Sequence, residues 1–188
     1  RPIQYNRGCQ LVSAGGCLTA ADAVMRSEVK RAFALVRPPG HHAMRVVHGI
    51  SGFCVINIEA VMVSYLREKY GIKKIAVVDT DVHHGDGSQD IFYHAPDTLY
   101  ISFHQDGRTL YPGTGFPSEA GSPAALGTNI NLPLLPGTGD EGLHRLFDGI
   151  IRPILDDFQP EIIINSAGQD NHFSDPLASM SVTAQGYA

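Results

Sequence analysis

The segment IAVVDTDVHHGDG, residues 75–87, joins a β-branched apolar run to a cluster of acids and histidines. A short, continuous apolar run that ends in turn residues is typical of a strand covered on both faces. In an extended chain, side chains two residues apart point to the same side. We therefore expect Asp79, Asp81 and His83 to line one side of the strand end, where they can bind one divalent ion. Asp86 follows a glycine turn and can reach back toward the same pocket.

Two adjacent histidines form a second candidate site. Residues 32–36 predict a strand, which leads through the turn at residues 38–40 into His41 and His42. Two prolines fix φ in this turn and the glycine after them frees it, so the turn presents the imidazoles rigidly. Because neighbouring side chains diverge, the pair suits two separate roles, one as general base and one as charge-stabilising group, each tuned by a carboxylate. A histidine pair in a surface loop is the alternative.

An acid also follows the β-branched run in IIINSAGQD, residues 162–170. Gly168 loosens the exit from this predicted strand, so Asp170 can turn into the pocket as a third metal ligand beside Asp81 and His83. Three protein ligands with open positions for water and substrate are the arrangement of a catalytic zinc ion. The ligands include no cysteine, and Fe(II), Mn(II) and Co(II) are chemically admissible as well.

Strand patterns alternate with helical patterns along the chain, which predicts an α/β fold with a mainly parallel sheet and helices on both faces. Ligand sites in such sheets lie at the carboxyl ends of the strands, where all three clusters fall. Residues 105–127 are rich in glycine and proline and are expected to form an active-site rim loop. The predicted helices cover residues 18–29, 54–69 and 140–158, with a kink at Pro153, and the predicted strands cover residues 32–36, 75–79, 98–103, 128–132 and 161–165.

Together these motifs resemble the histone deacetylase family, including its bacterial relatives that deacetylate proteins, polyamines or other small amides. Five ordered pieces make a more specific match than one acid-rich turn. The resemblance implies a three-layer α/β/α fold of the arginase/deacetylase kind. The matching pieces run in family order over nearly the whole chain: RPPGHH at 37–42, GFC at 52–54, DTDVHHGDG at 79–87, YPGTG at 111–115 and SAGQD at 166–170.

The resemblance also implies the chemistry of the site. It implies that Asp81, His83 and Asp170 bind Zn²⁺, which polarises the acetyl carbonyl and acidifies the attacking water. It implies that His42, backed by Asp86, takes and returns the proton. The reaction expected from these roles is hydrolysis of an acetyl amide.

Further roles follow from the same resemblance. His41, backed by Asp79, is expected to hold charge near the metal. Gly52, Phe53 and Tyr111 are expected to bind substrate, with the two aromatic rings as the walls of a narrow tunnel for the aliphatic stem. The expected partner is an acetylated lysine peptide, with a small acetylated amine as the alternative.

A structural K⁺ ion beside the zinc is a further implication of the resemblance. Its ligands would be Asp79, Asp81, the carbonyl oxygen of His83 and the side chain of Ser102. Family members also carry, in a glycine-rich loop after the third metal ligand, a tyrosine or histidine that hydrogen-bonds the tetrahedral oxyanion. We expect that residue to lie beyond Ala188. Residues 1–188 are therefore expected to be a single, partial deacetylase catalytic domain.

The composition agrees with one α/β body, since 188 residues with 43% apolar side chains can bury one sizeable core. A net charge of −5 without a basic run argues against nucleic acid as a direct partner.

Three cysteines without CxxC spacing indicate a reducing compartment. No apolar stretch of membrane-spanning length and no secretion signal pattern occurs, so we expect no membrane partner. The expected location is the cytoplasm, or the nucleus in a eukaryote, and the oligomeric state stays open.

Three other functions are alternatives to deacetylation of acetyl-lysine in proteins. A deacetylase of acetylpolyamines or other small acylated amines would use the same residues. A binuclear ureohydrolase of the arginase kind shares the sheet type, but it needs a second set of acids, and the third cluster offers Asp170 with only Asp175 nearby. A deacetylase-like binding subunit would be recognised by missing ligands. His84, on the opposite strand face from His83, is expected to pack behind the site.

Overall fold

The computed structural model describes residues 7–46 and 49–187, and a parallel four-stranded sheet lies at its centre. Parallel neighbours need crossover connections: along the chain, the first and third connections between strands contain α-helices, whereas the second is a long loop with one 3₁₀ turn. The strands are β1 (Ile75–Asp79), β2 (Thr98–Gln105), β3 (Asn129–Leu134) and β4 (Ile162–Ser166). Their order in the sheet is β3-β2-β1-β4, so β1 has a neighbour on each side.

The helices cover both faces of this sheet. The second of them is capped at both ends: the side chain of Asn57 accepts a hydrogen bond from the backbone N–H of Ala60 at 2.8 Å, and Gly71 adopts φ +69° after its last turn. Among the helices of the described residues, none has the length and apolar character to cross a membrane. The helices are α1 (Arg7–Met25), α2 (Ile58–Tyr70), α3 (Asp86–Phe92), α4 (Asp140–Leu146) and α5 (Arg152–Phe158).

Side chains of β1 alternate between two apolar clusters. Ile75 and Val77 pack with Leu66 of α2 on one face. Ala76 packs on the other face with a cluster that includes Leu143 of α4. All five residues of β1 are buried, as the continuous apolar run predicts. The predicted three-layer α/β/α architecture is confirmed.

The strand register aligns polar side chains at the carboxyl edge of the sheet. Asp79 lies beside Ser102 of β2 on one side and Ser166 of β4 on the other. The backbone hydrogen bonds of three parallel strands therefore fix the position of the first predicted site residue. The predicted rim loop leaves β2 at the same edge and contains one short 3₁₀ turn, Pro123–Ala125.

The prediction of a strand at residues 32–36, which lie within the described part of the chain, is wrong. The segment has no regular secondary structure, and none of the described strands pairs with it. Phe33 and Leu35 are exposed, whereas Ala34 and Val36 pack against a small cluster formed with α1 and α2. The alternating apolar pattern suits a strand, but a strand also needs a neighbour that exchanges backbone hydrogen bonds.

All three predicted helices also differ in extent. The helix predicted at residues 54–69 begins at Ile58 and ends at Tyr70. The helix predicted at residues 18–29 instead begins at Arg7 and ends at Met25. The helix predicted at residues 140–158 is interrupted by a π-helical turn, in which the N–H of Arg152 bonds the carbonyl of Phe147. Proline has no N–H to donate, so the interruption falls beside Pro153, the predicted kink.

Candidate metal centre and active site

The three predicted metal ligands come together at the carboxyl edge of the sheet. Asp81 and His83 lie on the loop after β1, and Asp170 lies on the segment after β4. Each offers one ligand atom, and these atoms all lie within 4.8 Å of one another. His83 Nδ1 is 3.0 Å from Asp81 Oδ1 and 3.0 Å from Asp170 Oδ2. One imidazole nitrogen and two carboxylate oxygens in this arrangement fit a divalent cation.

The backbone holds both carboxylates in place. Asp81 Oδ1 accepts a hydrogen bond from the N–H of His83 at 2.8 Å, and Asp170 Oδ1 accepts one from the N–H of Val82 at 2.9 Å. The two loops touch at Gly168, where an added Cβ would lie 2.4 Å from the Cα of Asp81. Gly168 is therefore required by close backbone approach, which its sequence context alone did not indicate.

Negative charge is crowded between these two carboxyl groups. Burial and the charge of Asp81 raise the pKa of Asp170, although the bond with His83 opposes this. Burial also acts to raise the pKa of Asp81, but the positive charge of His41 and the bonds with His83 outweigh it and lower that pKa. Two carboxylates beside one imidazole repel each other, and positive charge placed between them lowers that repulsion. A bound cation would supply that charge.

His41 forms a buried pair with Asp79. Its Nδ1 lies 3.0 Å from Asp79 Oδ2, and the hydroxyl of Tyr100 donates to the same oxygen at 2.9 Å. Burial opposes protonation of His41, but the charges of Asp79 and Asp81 outweigh it and raise its pKa to about 10. Gly85 lies against the His41–Asp79 pair, and a side chain at this position would overlap it, since an added Cβ would lie 2.3 Å from Asp79 Oδ2.

His42 is paired with Asp86 as predicted. Its Nδ1 lies 2.6 Å from Asp86 Oδ1, in the first turn of α3. The start of α3 rests directly on the histidine turn: an added Cβ at Gly87 would lie 2.5 Å from the carbonyl carbon of His42, and the N–H of Ser88 donates to His41 O at 2.9 Å. Because Nδ1 is engaged by the carboxylate, Nε2 is the nitrogen that can exchange a proton with a reacting group.

The predicted substrate residues lie next to the histidine pair. The ring of Tyr111 is centred 5.1 Å from that of His42 and 6.3 Å from that of His83. Gly52 packs against His42, because an added Cβ would lie 2.0 Å from His42 Cδ2. Phe53 and Tyr111 are 54% and 49% exposed, so both rings have apolar surface available to a ligand.

The residues of the predicted K⁺ site begin at the same strand ends. Asp79 and Ser102 are direct neighbours in the sheet, and both side chains are fully buried. The hydroxyl of Ser102 is 2.9 Å from Nδ1 of His104, which binds Gly115 O through Nε2. The structure therefore places these two predicted residues side by side in the sheet. Binding of K⁺ itself stays a prediction.

His84 packs behind the site, as its strand face predicts. It is buried, and its Nδ1 is 2.8 Å from the hydroxyl of Thr114 while its Nε2 is 3.2 Å from Gln89 Oε1. Burial and the neighbouring His104 lower its pKa to about 4. A histidine that stays neutral at physiological pH suits a structural role in holding the rim loop.

Sequence reasoning missed Glu59, a buried acid in the first turn of α2. Its Oε1 accepts a hydrogen bond from the hydroxyl of Ser166 at 2.7 Å, and its Oε2 is buried without a hydrogen-bond partner among the described residues. Gly40 and His41 lie beside it. An acid near a helix start is ordinary in sequence, so only the packing of α2 on β4 could have revealed it.

We expect Glu59→Gln to stabilise the protein increasingly as pH rises. Burial raises the pKa of Glu59 above its ordinary value of 4.5, more than His41 and Ser166 lower it. Between pH 4.5 and that raised value the unfolded chain releases a proton that the folded protein retains, so wild-type stability falls with pH by up to about 1.4 kcal/mol per unit. Urea unfolding of both proteins from pH 4 to pH 7 measures this, and a constant stability difference would contradict it.

Comparison with known proteins agrees with the geometry. The histone deacetylase domain model matches residues 4–188. A probable deacetylase of Archaeoglobus fulgidus is 51% identical over 178 residues, which are 95% of this chain and 48% of that protein. The chain thus spans about half the length of this relative.

Solved structures give the same result. The crystal structure of the HDA15 HD domain is 42% identical with a TM-score of 0.87, and the match covers 93% of this chain and 51% of that one. An acetylpolyamine aminohydrolase from Burkholderia pseudomallei is 40% identical with a TM-score of 0.84, over 93% of this chain and 50% of that one. The sequence match extends over nearly all of the chain, and the chain belongs to the histone deacetylase family.

Proposed function

We propose that this chain carries the catalytic residues of a zinc-dependent deacetylase that removes the acetyl group from acetyl-lysine in proteins. One observation carries the proposal: two histidine–aspartate pairs, His41–Asp79 and His42–Asp86, lie directly beside the ligand set of Asp81, His83 and Asp170. A metal site and a base with its own carboxylate are parts from which metal-dependent amide hydrolysis is built, and the second imidazole lies where it can stabilise charge.

Zn²⁺ would be held by Asp81, His83 and Asp170, and when bound it supplies a polarised acetyl carbonyl and an acidified water. The same oxygen and nitrogen donors accept Fe(II), Mn(II) or Co(II). The backbone N–H groups that bind the two carboxylates orient them before any ion arrives.

His42 is the proton carrier in this proposal. Asp86 holds Nδ1, so Nε2 accepts the proton of the attacking water and returns it to the leaving amine. Asp86 stays ionised, fixes the tautomer and stabilises the imidazolium that forms. Asp79 holds His41 beside the ligand set, and in its protonated form this imidazole offsets negative charge that develops near it.

Substrate enters beside Gly52, Phe53 and Tyr111. The exposed parts of the two rings offer apolar contact to the methylenes of a lysine-like stem, and Gly52, which has no side chain, lets the turn that carries Phe53 lie against the ring of His42. We also infer a structural K⁺ ion whose ligands would be Asp79, Asp81, the carbonyl oxygen of His83 and Ser102. The acetylpolyamine aminohydrolase among the similar structures makes a small acetylated amine the second candidate substrate.

The test compares two substrates in the natural full-length protein loaded with zinc. We expect a higher kcat/KM for an Nε-acetyl-lysine peptide than for N-acetylputrescine, loss of both activities after chelation, and their return when Zn²⁺ is added. A preference for N-acetylputrescine would support the polyamine alternative. Absence of hydrolysis of either substrate at one zinc ion per chain would refute the proposal.

A further inference from the structure

A pair of hydroxyl groups links the two loops that flank the histidine pair. Ser51 Oγ and the hydroxyl of Tyr111 lie 2.5 Å apart, although the residues are 60 positions apart in the chain. Ser51 opens the turn that carries Gly52 and Phe53, and Tyr111 lies on the rim loop after β2. The hydrogen bond therefore joins Tyr111, one proposed wall of the tunnel, to the turn that carries Phe53, the other proposed wall.

The turn at residues 51–54 has a defined backbone geometry that is energetically unfavourable for one of its residues. The N–H of Cys54 donates to Ser51 O at 2.7 Å, and the N–H of Ser51 donates to Cys54 O at 3.4 Å. Gly52 and Phe53 adopt φ of +50° and +67°, the left-handed region that a turn of this type requires at both central positions. Phenylalanine rarely adopts this region, so the contacts around the turn must hold it there.

Both loops are positioned against the same imidazole. Gly52 approaches the ring of His42 so closely that a Cβ would overlap it, and the ring of Tyr111 is centred 5.1 Å from it. Cys54 is fully buried and anchors the far end of the turn. The Tyr111 hydroxyl is the part of that side chain that reaches Ser51, so phenylalanine at this position would keep the ring contacts and lose the link.

We propose that the Ser51–Tyr111 hydrogen bond sets the substrate selectivity of the site by fixing the gap between the Phe53 turn and the Tyr111 ring. The inference rests on the proposed function, because it assumes that an acylated stem passes between these two walls. A gap of fixed width accepts an unbranched chain of methylenes and excludes a chain that carries a methyl branch. One extra methylene changes kcat/KM by roughly 10–200-fold in a rigid apolar pocket, and less in a pocket whose walls can separate.

The test measures kcat/KM of the zinc-loaded, full-length protein for an Nε-acetyl-lysine peptide and for the same peptide with a methyl group on the lysine γ-carbon. We expect Tyr111→Phe to reduce the preference for the unbranched peptide by roughly threefold to tenfold, with a higher KM for the unbranched peptide. Ser51→Ala should give the same change, and the double variant should add nothing, because all three remove one shared bond.

Tyr65→Phe is the matched control. It removes a phenol hydroxyl on α2 that donates to Asp22 Oδ1 on α1 at 2.7 Å and takes no part in the Ser51–Tyr111 bond, so it should leave the preference unchanged. Equal losses of kcat/KM for both peptides in Tyr111→Phe, or an unchanged preference, would overturn the selectivity role while the proposed function stands. Failure of the unmodified protein to cleave the unbranched peptide would overturn the proposed function, and the selectivity role with it.

Discussion

Replacing His42 with alanine should lower hydrolysis of an acetyl-lysine peptide by roughly 10²–10⁴-fold at full zinc occupancy, the usual contribution of a positioned acid–base group. The imidazole is buried, only 3% exposed, and its Nδ1 is bound to Asp86 at 2.6 Å, so no solvent-borne base can take its place in the same orientation. Asp86→Asn should act in the same direction, since an amide can donate to Nδ1 and so favour the wrong tautomer.

Single-turnover kinetics at matched zinc content measures this effect. His144→Ala is the control, because His144 is an exposed histidine on α4 and its loss should leave turnover unchanged. Peptide binding should survive in His42→Ala, since the aromatic side chains and the metal ligands are untouched. Turnover near the wild-type value in His42→Ala with zinc bound would mean that another group carries the proton.

The second large effect is expected at the metal. Asp170→Ala should reduce the zinc content from one ion per chain to near zero after dialysis against zinc-buffered solution. It removes one ligand of three and a negative charge, so it should cost more than the roughly 10–100-fold in affinity that follows loss of a residue supporting a ligand. Elemental analysis of the dialysed protein gives the result directly, without an activity assay.

Asp175→Asn is a matched control for that experiment. Asp175 lies five residues further along, and its Oδ1 accepts hydrogen bonds from the N–H groups of Leu177 and Ala178 at 2.8 and 3.1 Å. A carboxylate engaged in this way is a turn residue, so the variant should retain its zinc. Two ions per chain in the wild type, one of them lost in Asp175→Asn, would favour the binuclear ureohydrolase alternative.

The sequence predicted the four-stranded sheet and the placement of the candidate site residues at its carboxyl edge, because the determinants of both are local. The continuous apolar run of β1 predicts burial on both faces. The strand ends at Asp79, and Asp81 and His83 lie on the loop after it, so the expected strand-like alignment of the three is wrong: Asp79 binds His41 and is not part of the ligand group. The ends of parallel strands meet at one edge, so Asp170 was expected beside the other two ligands although it is 87 residues from His83 in the chain.

What could not be predicted depends on partners that are distant in the chain. Residues 32–36 alternate like a strand, yet strand formation depends on a neighbour that a local pattern does not contain. Glu59 is ordinary in sequence, and only the approach of α2 to Ser166 makes it a buried acid. The Ser51–Tyr111 bond joins two loops whose relative placement is set by packing on His42, for which no spacing rule exists.

Four glycines of the candidate site limit which substitutions this protein can accept: Gly52, Gly85, Gly87 and Gly168. At each of these positions an added Cβ would lie 2.0–2.5 Å from the side chain or the backbone of a candidate site residue. No side chain other than hydrogen fits there, so random mutagenesis aimed at the floor of the site should return mostly inactive clones. Variation that alters substrate choice has to come from the rim, where Phe53 and Tyr111 are half exposed. A directed library for new acyl substrates should therefore keep the four glycines and diversify the neighbours of those two rings.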